Sequence, residues 1–161
     1  IIGAGMPVGA YGGRWEIMEM VSPVGAVYQA GTLSGNPVAM AAGIAQLTYL
    51  KEHPEVYTKL NKTSDSFFAE LQKIVDESGR GYQVNHICSL GSMFCTTQEV
   101  YDYETAKTSD TKAYADYCNY MQNHGIYLAP AQFEAMFISA AHTQEQLAQT
   151  LETARNYFKN N

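Results

Sequence analysis

The strongest constraint on the fold is a helical repeat of apolar residues that begins just after Pro54. Apolar side chains recur there at spacings of three, four or seven residues, which is the period of an amphipathic helix with one buried face. The residues that carry this repeat are Val56, Leu60, Phe67, Leu71 and Ile74. The pattern predicts a helix from Pro54 to about Ser78, because Gly79 and Gly81 follow and interrupt it.

The remaining residues after position 52 alternate between strand-like and helix-like patterns. Tyr82–Ile87 and Ser92–Thr97 are predicted to be strands of a hairpin-like pair. Further elements are a helix at 111–124 closed by Gly125, strands at 125–128 and 135–139, and a last helix that opens with a T-x-x-Q capping box at 143–146. This order predicts a compact α+β unit with helices packed on one sheet.

The first fifty residues follow a different pattern. Five of the thirteen glycines lie in residues 1–13, and a short helix is predicted at Trp15–Val21. Asn36-Pro37 is typical of an N-cap followed by proline at the first helical position, so the next helix is predicted at 37–50. Because the chain begins with Ile inside a glycine-dense segment, we expect it to be the C-terminal part of a longer protein. The expected domains are residues 1–51, the end of a larger domain, and 52–161, a smaller α+β domain.

Composition excludes several classes of function. Sixteen acidic and ten basic residues give a net charge of -6, with no basic patch, which argues against nucleic acid or an anionic membrane as the partner. The longest apolar stretch, 38–50, is too short to span a bilayer. Three cysteines without a C-x-x-C pair indicate neither a disulfide framework nor a zinc site, and they favour a reducing compartment such as the cytoplasm.

Common catalytic motifs are absent from the sequence. The opening glycines do not form G-x-G-x-x-G, and residues 31–35 have neither the lysine of a P-loop nor the serine position of a hydrolase elbow. The four histidines lie at no metal-ligand spacing, so no metal site is expected. The residues of this chain therefore predict no self-sufficient active site.

Several blocks together resemble the class III pyridoxal-phosphate enzymes. They are I-I-G-A-G-M-P-V-G-A-Y-G-G at 1–13, V-Y-Q-A-G-T-L-S-G-N-P at 27–37, G-S-M-F at 91–94, Q-F-E-A-M-F-I-S at 132–139 and A-H-T at 141–143. Within that family the blocks are most similar to the aminomutases that convert glutamate 1-semialdehyde to 5-aminolevulinate for porphyrin synthesis. The resemblance implies that 52–161 is the small C-terminal α+β domain of a fold type I enzyme and that 1–51 ends its large domain.

The resemblance also implies a cofactor and its ligands. The cofactor is pyridoxal 5'-phosphate, alternating with pyridoxamine 5'-phosphate, and its Schiff-base lysine is expected just before Ile1, so that no catalytic residue lies in this chain. Gly31 and Thr32 match the positions that reach the cofactor phosphate of the neighbouring subunit in a homodimer. Glu134 matches an acidic residue of the substrate pocket. The chain alone is therefore expected to be inactive.

Two alternatives remain open. One is a class III ω-amino acid or acetylornithine-type transaminase, although these enzymes usually carry an L-R-x-x-P-P-like segment, and residues 128–134 contain no arginine. The other is a non-catalytic α+β module for dimerisation. From composition alone, Thr32 would simply complete a loop and Glu134 would be a solvated charge.

Overall fold

The computed structural model describes residues 1–160, which form six helices and a three-stranded sheet. In chain order the elements are α1 (Trp15–Met18), α2 (Pro37–Glu52), α3 (Glu55–Glu77), β1 (Gln83–Ile87), β2 (Leu90–Phe94), α4 (Tyr103–Ala106), α5 (Thr111–Asn123), β3 (Met136–Phe137) and α6 (Gln144–Asn160). The predicted α+β class is confirmed. The short helix α4, capped by Asp102, was not predicted from the sequence.

The chain forms two compact units, one from Ile1 to Pro54 and one that begins at Glu55. The first unit contains α1 and α2, and α2 buries only Ala39 and Gly43. The second unit contains the other helices and the sheet. The assignment of 1–51 and 52–161 to a large and a small domain stays a prediction.

The hydrophobic core lies in the second unit, between α3, α5, α6 and the sheet. Phe67, Leu71 and Ile74 of the predicted repeat are buried, whereas Val56 and Leu60 near the start of α3 are half-buried. The apolar faces of α5 and α6 complete the cluster. Its fully buried members include Phe68, Leu71, Ile74, Val75, Met93 and Met121. Arg155 of α6 adds a polar connection, because its guanidinium lies 2.6 Å from the Glu70 carboxylate and 3.2 Å from that of Glu77, both on α3.

The sheet is antiparallel, with the strand order β1-β2-β3. The predicted hairpin is confirmed, but its second strand begins at Leu90 rather than Ser92. Leu90 pairs with Ile87 across a two-residue turn in which Cys88 has a positive φ of 50°. The third strand is shorter than predicted, and only Met136 and Phe137 form its ladder with β2.

The predicted strand at 125–128 is wrong. Gly125 has a φ of 81°, as the predicted left-handed cap requires, and the Ile126 N–H then donates to the Met121 carbonyl at the end of α5. Ile126 and Leu128 pack against the core without joining a ladder in the part of the chain that the structure describes. An alternating apolar pattern predicts an extended segment, whereas a strand also requires a backbone partner.

The β2 strand passes very close to helix α3. At Gly91 the missing side chain leaves room for the ring of Phe68, which is only 1% exposed. A Cβ atom added at Gly91 would lie 2.5 Å from Phe68 Cζ. Glycine is therefore required at this position by packing rather than by backbone conformation.

The three cysteines are free and differ sharply in accessibility. Cys88 is exposed in the hairpin turn, whereas Cys95 and Cys118 are buried. Burial raises the pKa of the Cys95 thiol to about 12 and also raises the pKa of Cys118.

We expect a maleimide at neutral pH to modify Cys88 and to leave Cys95 and Cys118 unmodified in the folded chain, because the thiolate is the reactive form. Mass spectrometry of the peptides measures the extent of labelling at each cysteine. Chain unfolded in urea is the control, in which all three cysteines are expected to react. Labelling of Cys95 to the same extent as Cys88 in the folded chain would contradict the prediction.

None of the helices in residues 1–160 is both long and apolar enough to cross a lipid bilayer.

Candidate functional site

A glycine-rich loop precedes α2 and carries Gly31 and Thr32. The Ser34 N–H donates to the Gly31 carbonyl at 2.9 Å, and the Asn36 N–H donates to the Leu33 carbonyl at 3.1 Å. Within the second turn Gly35 has a φ of 71°, in the region that favours glycine. The sequence therefore folds this segment into two consecutive tight turns with short side chains.

Helix α2 begins directly after the loop. The Asn36 side-chain oxygen accepts hydrogen bonds from the backbone N–H groups of Val38 and Ala39, each at 3.1 Å, and Pro37 occupies the first turn. The predicted N-cap is confirmed. This cap fixes the end of the loop to a helix of sixteen residues, so that the loop is held on its C-terminal side.

The opening segment of the chain lies beside the same loop. Pro7, Val8 and Gly9 line one side of an open depression of about 490 Å³, and residues 31–35 with Met40 line the other. Two of the blocks that carry the resemblance, 1–13 and 27–37, thus have residues that line the same depression in the first unit.

Helix α2 also holds the start of the opening segment. The Gln46 side chain donates to the Ile1 carbonyl at 2.7 Å. A Cβ added at Gly43 would lie 3.2 Å from the Ile2 carbonyl oxygen, so the absence of a side chain there permits the close approach. Gly43 therefore serves packing within this unit, whereas Ala41 and Ala45 of the same helix are exposed.

Thr32 presents hydrogen-bond donors at this depression. The residue is exposed, and among residues 1–160 neither its hydroxyl nor its backbone N–H has a hydrogen-bond partner. A hydroxyl and free N–H groups in a concave loop of small residues suit a phosphate dianion. The donor set thus fits a phosphate group, while the specific role of Gly31 and Thr32 stays a prediction.

Glu134 lies in the second unit, on the loop that leads into β3. Its side chain is exposed, and its backbone N–H donates to the Ala131 carbonyl at 3.0 Å, which closes a tight turn. The turn presents the carboxylate at the surface of the unit. The proposed contact of Glu134 with substrate stays a prediction.

Two buried side chains anchor the Glu134 loop, and sequence reasoning gave neither of them a role. The Gln132 amide is buried and donates from Nε2 to the Met93 carbonyl at 2.7 Å, while its Oε1 accepts from the Cys95 N–H at 3.1 Å. The Tyr114 hydroxyl donates to the Ala129 carbonyl at 2.8 Å. Burial raises the pKa of Tyr114 to about 12, so its donor proton is retained at neutral pH.

No sequence signal separates Gln132 from a solvated loop residue. Its neighbours Ala131 and Phe133 are exposed, and glutamine is usually found at the surface. Only the burial of its amide in the structure reveals its role. Among residues 1–160, no three His, Cys, Asp or Glu side chains lie together in a group that could hold a metal ion.

Residues 1–156 match the aminotransferase class-III family, and the chain therefore belongs to that family. Curated proteins with high sequence identity to this chain are named as aminomutases. They include the glutamate-1-semialdehyde 2,1-aminomutase 1 of Lachnoclostridium phytofermentans, 60% identical over 159 residues, and the glutamate-1-semialdehyde 2,1-aminomutase of Alkaliphilus oremlandii, 56% identical over 151 residues. These alignments cover 99% and 94% of this chain but only 37% and 34% of the relatives, so the chain spans little more than a third of their length.

Solved structures with the same fold are transaminases. A β-phenylalanine aminotransferase from Variovorax paradoxus matches with a TM-score of 0.83 and 26% identity, over 98% of this chain and 36% of that one. An ω-transaminase from Sphaerobacter thermophilus matches with a TM-score of 0.78 and 23% identity, over 99% of this chain and 37% of its own. The second likeness concerns the fold alone.

Proposed function

We propose that the polypeptide containing these residues is a pyridoxal-phosphate-dependent aminomutase that converts glutamate 1-semialdehyde to 5-aminolevulinate, a step of porphyrin biosynthesis. The observation that carries the proposal is 60% identity to an aminomutase over 99% of this chain. The reaction exchanges an amino group and an oxo group between adjacent carbons of one substrate. We place it in the cytoplasm, in line with three free cysteines.

The loop at 31–35 would hold the phosphate of the cofactor. Two observations support this assignment. Thr32 and the short residues beside it line a depression, and the hydrogen-bond donors of Thr32 have no acceptor among residues 1–160. Following the resemblance, we assign Gly31 and Thr32 to the cofactor of the neighbouring subunit in a homodimer. When bound, the cofactor supplies the electron sink, and the chain supplies binding and orientation.

Glu134 would orient the amino groups of the substrate. A carboxylate at the surface of an anchored turn can accept hydrogen bonds from an ammonium or amino group and restrict its position. Because each of the two adjacent carbons carries nitrogen at some stage of the exchange, one fixed acceptor would serve either carbon.

The lysine that binds the cofactor is assigned to a segment before Ile1. The first lysine of this chain is Lys51, in the last turn of α2, and it belongs to none of the matching blocks. We therefore propose that residues 1–161 alone are inactive and form no reducible covalent adduct with pyridoxal phosphate. Strong borohydride-dependent labelling of a single lysine in this chain would contradict the assignment.

The second candidate is a transaminase of the same family. It is favoured by the fold likeness to the β-phenylalanine aminotransferase, and opposed by the absence of arginine from residues 128–134. The two candidates differ in one requirement, since a transaminase needs a separate amino acceptor and an aminomutase does not.

This difference gives a direct test on the full-length protein. Purified enzyme loaded with pyridoxamine phosphate is expected to form 5-aminolevulinate from glutamate 1-semialdehyde with no added keto acid, because the amino group returns to the same carbon skeleton. Colorimetric detection of 5-aminolevulinate measures the reaction, and cofactor-free enzyme corrects for spontaneous conversion. Turnover that appears only with an added keto acid would overturn the aminomutase in favour of the transaminase.

A further inference from the structure

The loop that carries Glu134 is attached to β2 by a side chain, at a point beyond the backbone pairing of β2 with β3. Strand β3 pairs with β2 only at Leu90 and Gly91. Beyond that pairing, the Met93 carbonyl and the Cys95 N–H point to the same side, because residues two apart in a strand share an orientation. Both groups are taken by the Gln132 amide, at 2.7 and 3.1 Å.

A single side-chain amide thus takes the place of the N–H and C=O of one residue in a neighbouring strand. Bonding to the carbonyl of one residue and the N–H of the residue two further on is the pattern of a parallel ladder. Gln132 is 3% exposed, so both bonds are shielded from water. Removing the amide would leave two backbone groups without their partner at a buried position.

Glu134 lies midway between two attachments to β2. Two residues before it, Gln132 binds Met93 and Cys95, and two residues after it, Met136 pairs with Gly91. Both sides are thus held by β2 and the residue that follows it, and the Glu134 N–H closes a tight turn with the Ala131 carbonyl, one residue before Gln132. The backbone of Glu134 therefore has little freedom. Its carboxylate is thereby presented from a rigid base.

We propose that Gln132 is a positioning residue for the reaction, whose buried amide fixes the loop that places the Glu134 carboxylate against the substrate. This inference rests on the proposed function of Glu134. Gln132 itself need not touch the substrate, since its polar atoms are occupied by the backbone of β2.

The chain offers a matched control in Gln72 of α3. The Gln72 side chain accepts from the Val84 N–H at 2.8 Å and donates to the Tyr82 carbonyl at 3.3 Å, which is the same two-residue pattern on β1. Gln72 is remote in sequence from the Glu134 loop and anchors a different strand. Gln72→Met therefore removes a similar pair of bonds without releasing that loop. It also removes a third bond, from Gln72 Nε2 to the Asp76 carboxylate at 2.7 Å within α3.

The test uses the full-length enzyme loaded with cofactor and compares Gln132→Met, Gln72→Met, Glu134→Gln and the double variant of residues 132 and 134. We expect Gln132→Met to lower kcat by roughly 10- to 100-fold, the scale of a misplacement near 1 Å, with KM and cofactor affinity little changed. Gln72→Met is expected to lower the Tm but leave kcat near the wild-type value. In the Glu134→Gln background, Gln132→Met is expected to add little further loss, since both changes remove the same interaction.

Three results would overturn the proposal. The first is a kcat for Gln132→Met that falls no further than that of Gln72→Met. The second is multiplication of the losses in the double variant, which indicates independent effects. The third is an unchanged kcat for Glu134→Gln. If Gln132→Met yields no soluble enzyme, the same criteria apply to Gln132→Asn, whose amide is held on a side chain one methylene group shorter.

Failure of the inference and failure of the function are distinguishable. Wild-type enzyme that forms 5-aminolevulinate without a keto acid keeps the aminomutase proposal standing whatever the Gln132 variants do. Wild-type enzyme that forms none overturns that function, and the role of Gln132 in the reaction falls with it.

Discussion

Replacing Gly91 with alanine is expected to lower the free energy of unfolding by on the order of 1–3 kcal/mol, the usual cost of overpacking a core. The added methyl group would meet the ring of Phe68, which is wedged among buried side chains of α3 and the sheet. Neither the strand nor the ring can move without disturbing that packing. Urea denaturation followed by circular dichroism measures the change.

Two further variants isolate the cause. Gly12→Ala adds the same methyl group where no atom lies within 4 Å, and it is expected to change stability little. Combining Gly91→Ala with Phe68→Leu is expected to cost less than the sum of the single changes, because the smaller side chain relieves the contact. Strict additivity of the two costs would show that the Phe68 ring is not the obstacle.

Replacing Thr32 with valine in the full-length enzyme is expected to weaken cofactor binding by about 1.5–3 kcal/mol, the range for a hydrogen bond to a charged group. In dissociation constants this corresponds to roughly a 10- to 150-fold increase. Valine keeps the branched shape of threonine and removes only the hydroxyl, which projects from an exposed loop. Fluorescence titration of the apoenzyme with pyridoxal phosphate gives the constant.

Thr32→Ser keeps the hydroxyl and is expected to bind nearly as well as the wild type. Mixing Thr32→Val subunits with subunits that lack the cofactor lysine is expected to restore activity, because one site of each hybrid dimer would combine the intact lysine and the intact threonine. An unchanged affinity for Thr32→Val would remove this residue from the site, and absence of restored activity would argue against a contribution across the dimer.

Local sequence signals predicted the four longer helices well, but they missed α4 and placed the end of α1 at Val21 rather than Met18. The apolar repeat placed α3, Asn36-Pro37 placed the start of α2, and the capping box at Thr143 and Gln146 placed α6, where both reciprocal hydrogen bonds form. These caps and repeats depend on residues close together in the chain. A short stretch of sequence is therefore enough to predict where such a helix begins and which face is apolar.

Strands were predicted less well, because their limits depend on distant partners. The start of β2 follows from the conformation of Cys88, and its end from hydrogen bonds that Gln132 and Asp110 make with Cys95. The segment at 125–128 has the composition of a strand, but it forms no strand ladder with any residue that the structure describes. The candidate site was reached by resemblance, since neither Thr32 nor Glu134 is distinctive by composition.

The uneven distribution of buried side chains has a consequence for unfolding experiments. Helix α2 buries only two residues and leaves Val38, Ile44 and Leu47 exposed, whereas the second unit contains the described core cluster. Because the chain spans little more than a third of the length of its relatives, we expect the apolar side chains of α2 to pack against further parts of a longer polypeptide. A denaturation midpoint measured on residues 1–161 alone would therefore report mainly the cooperative unfolding of the second unit.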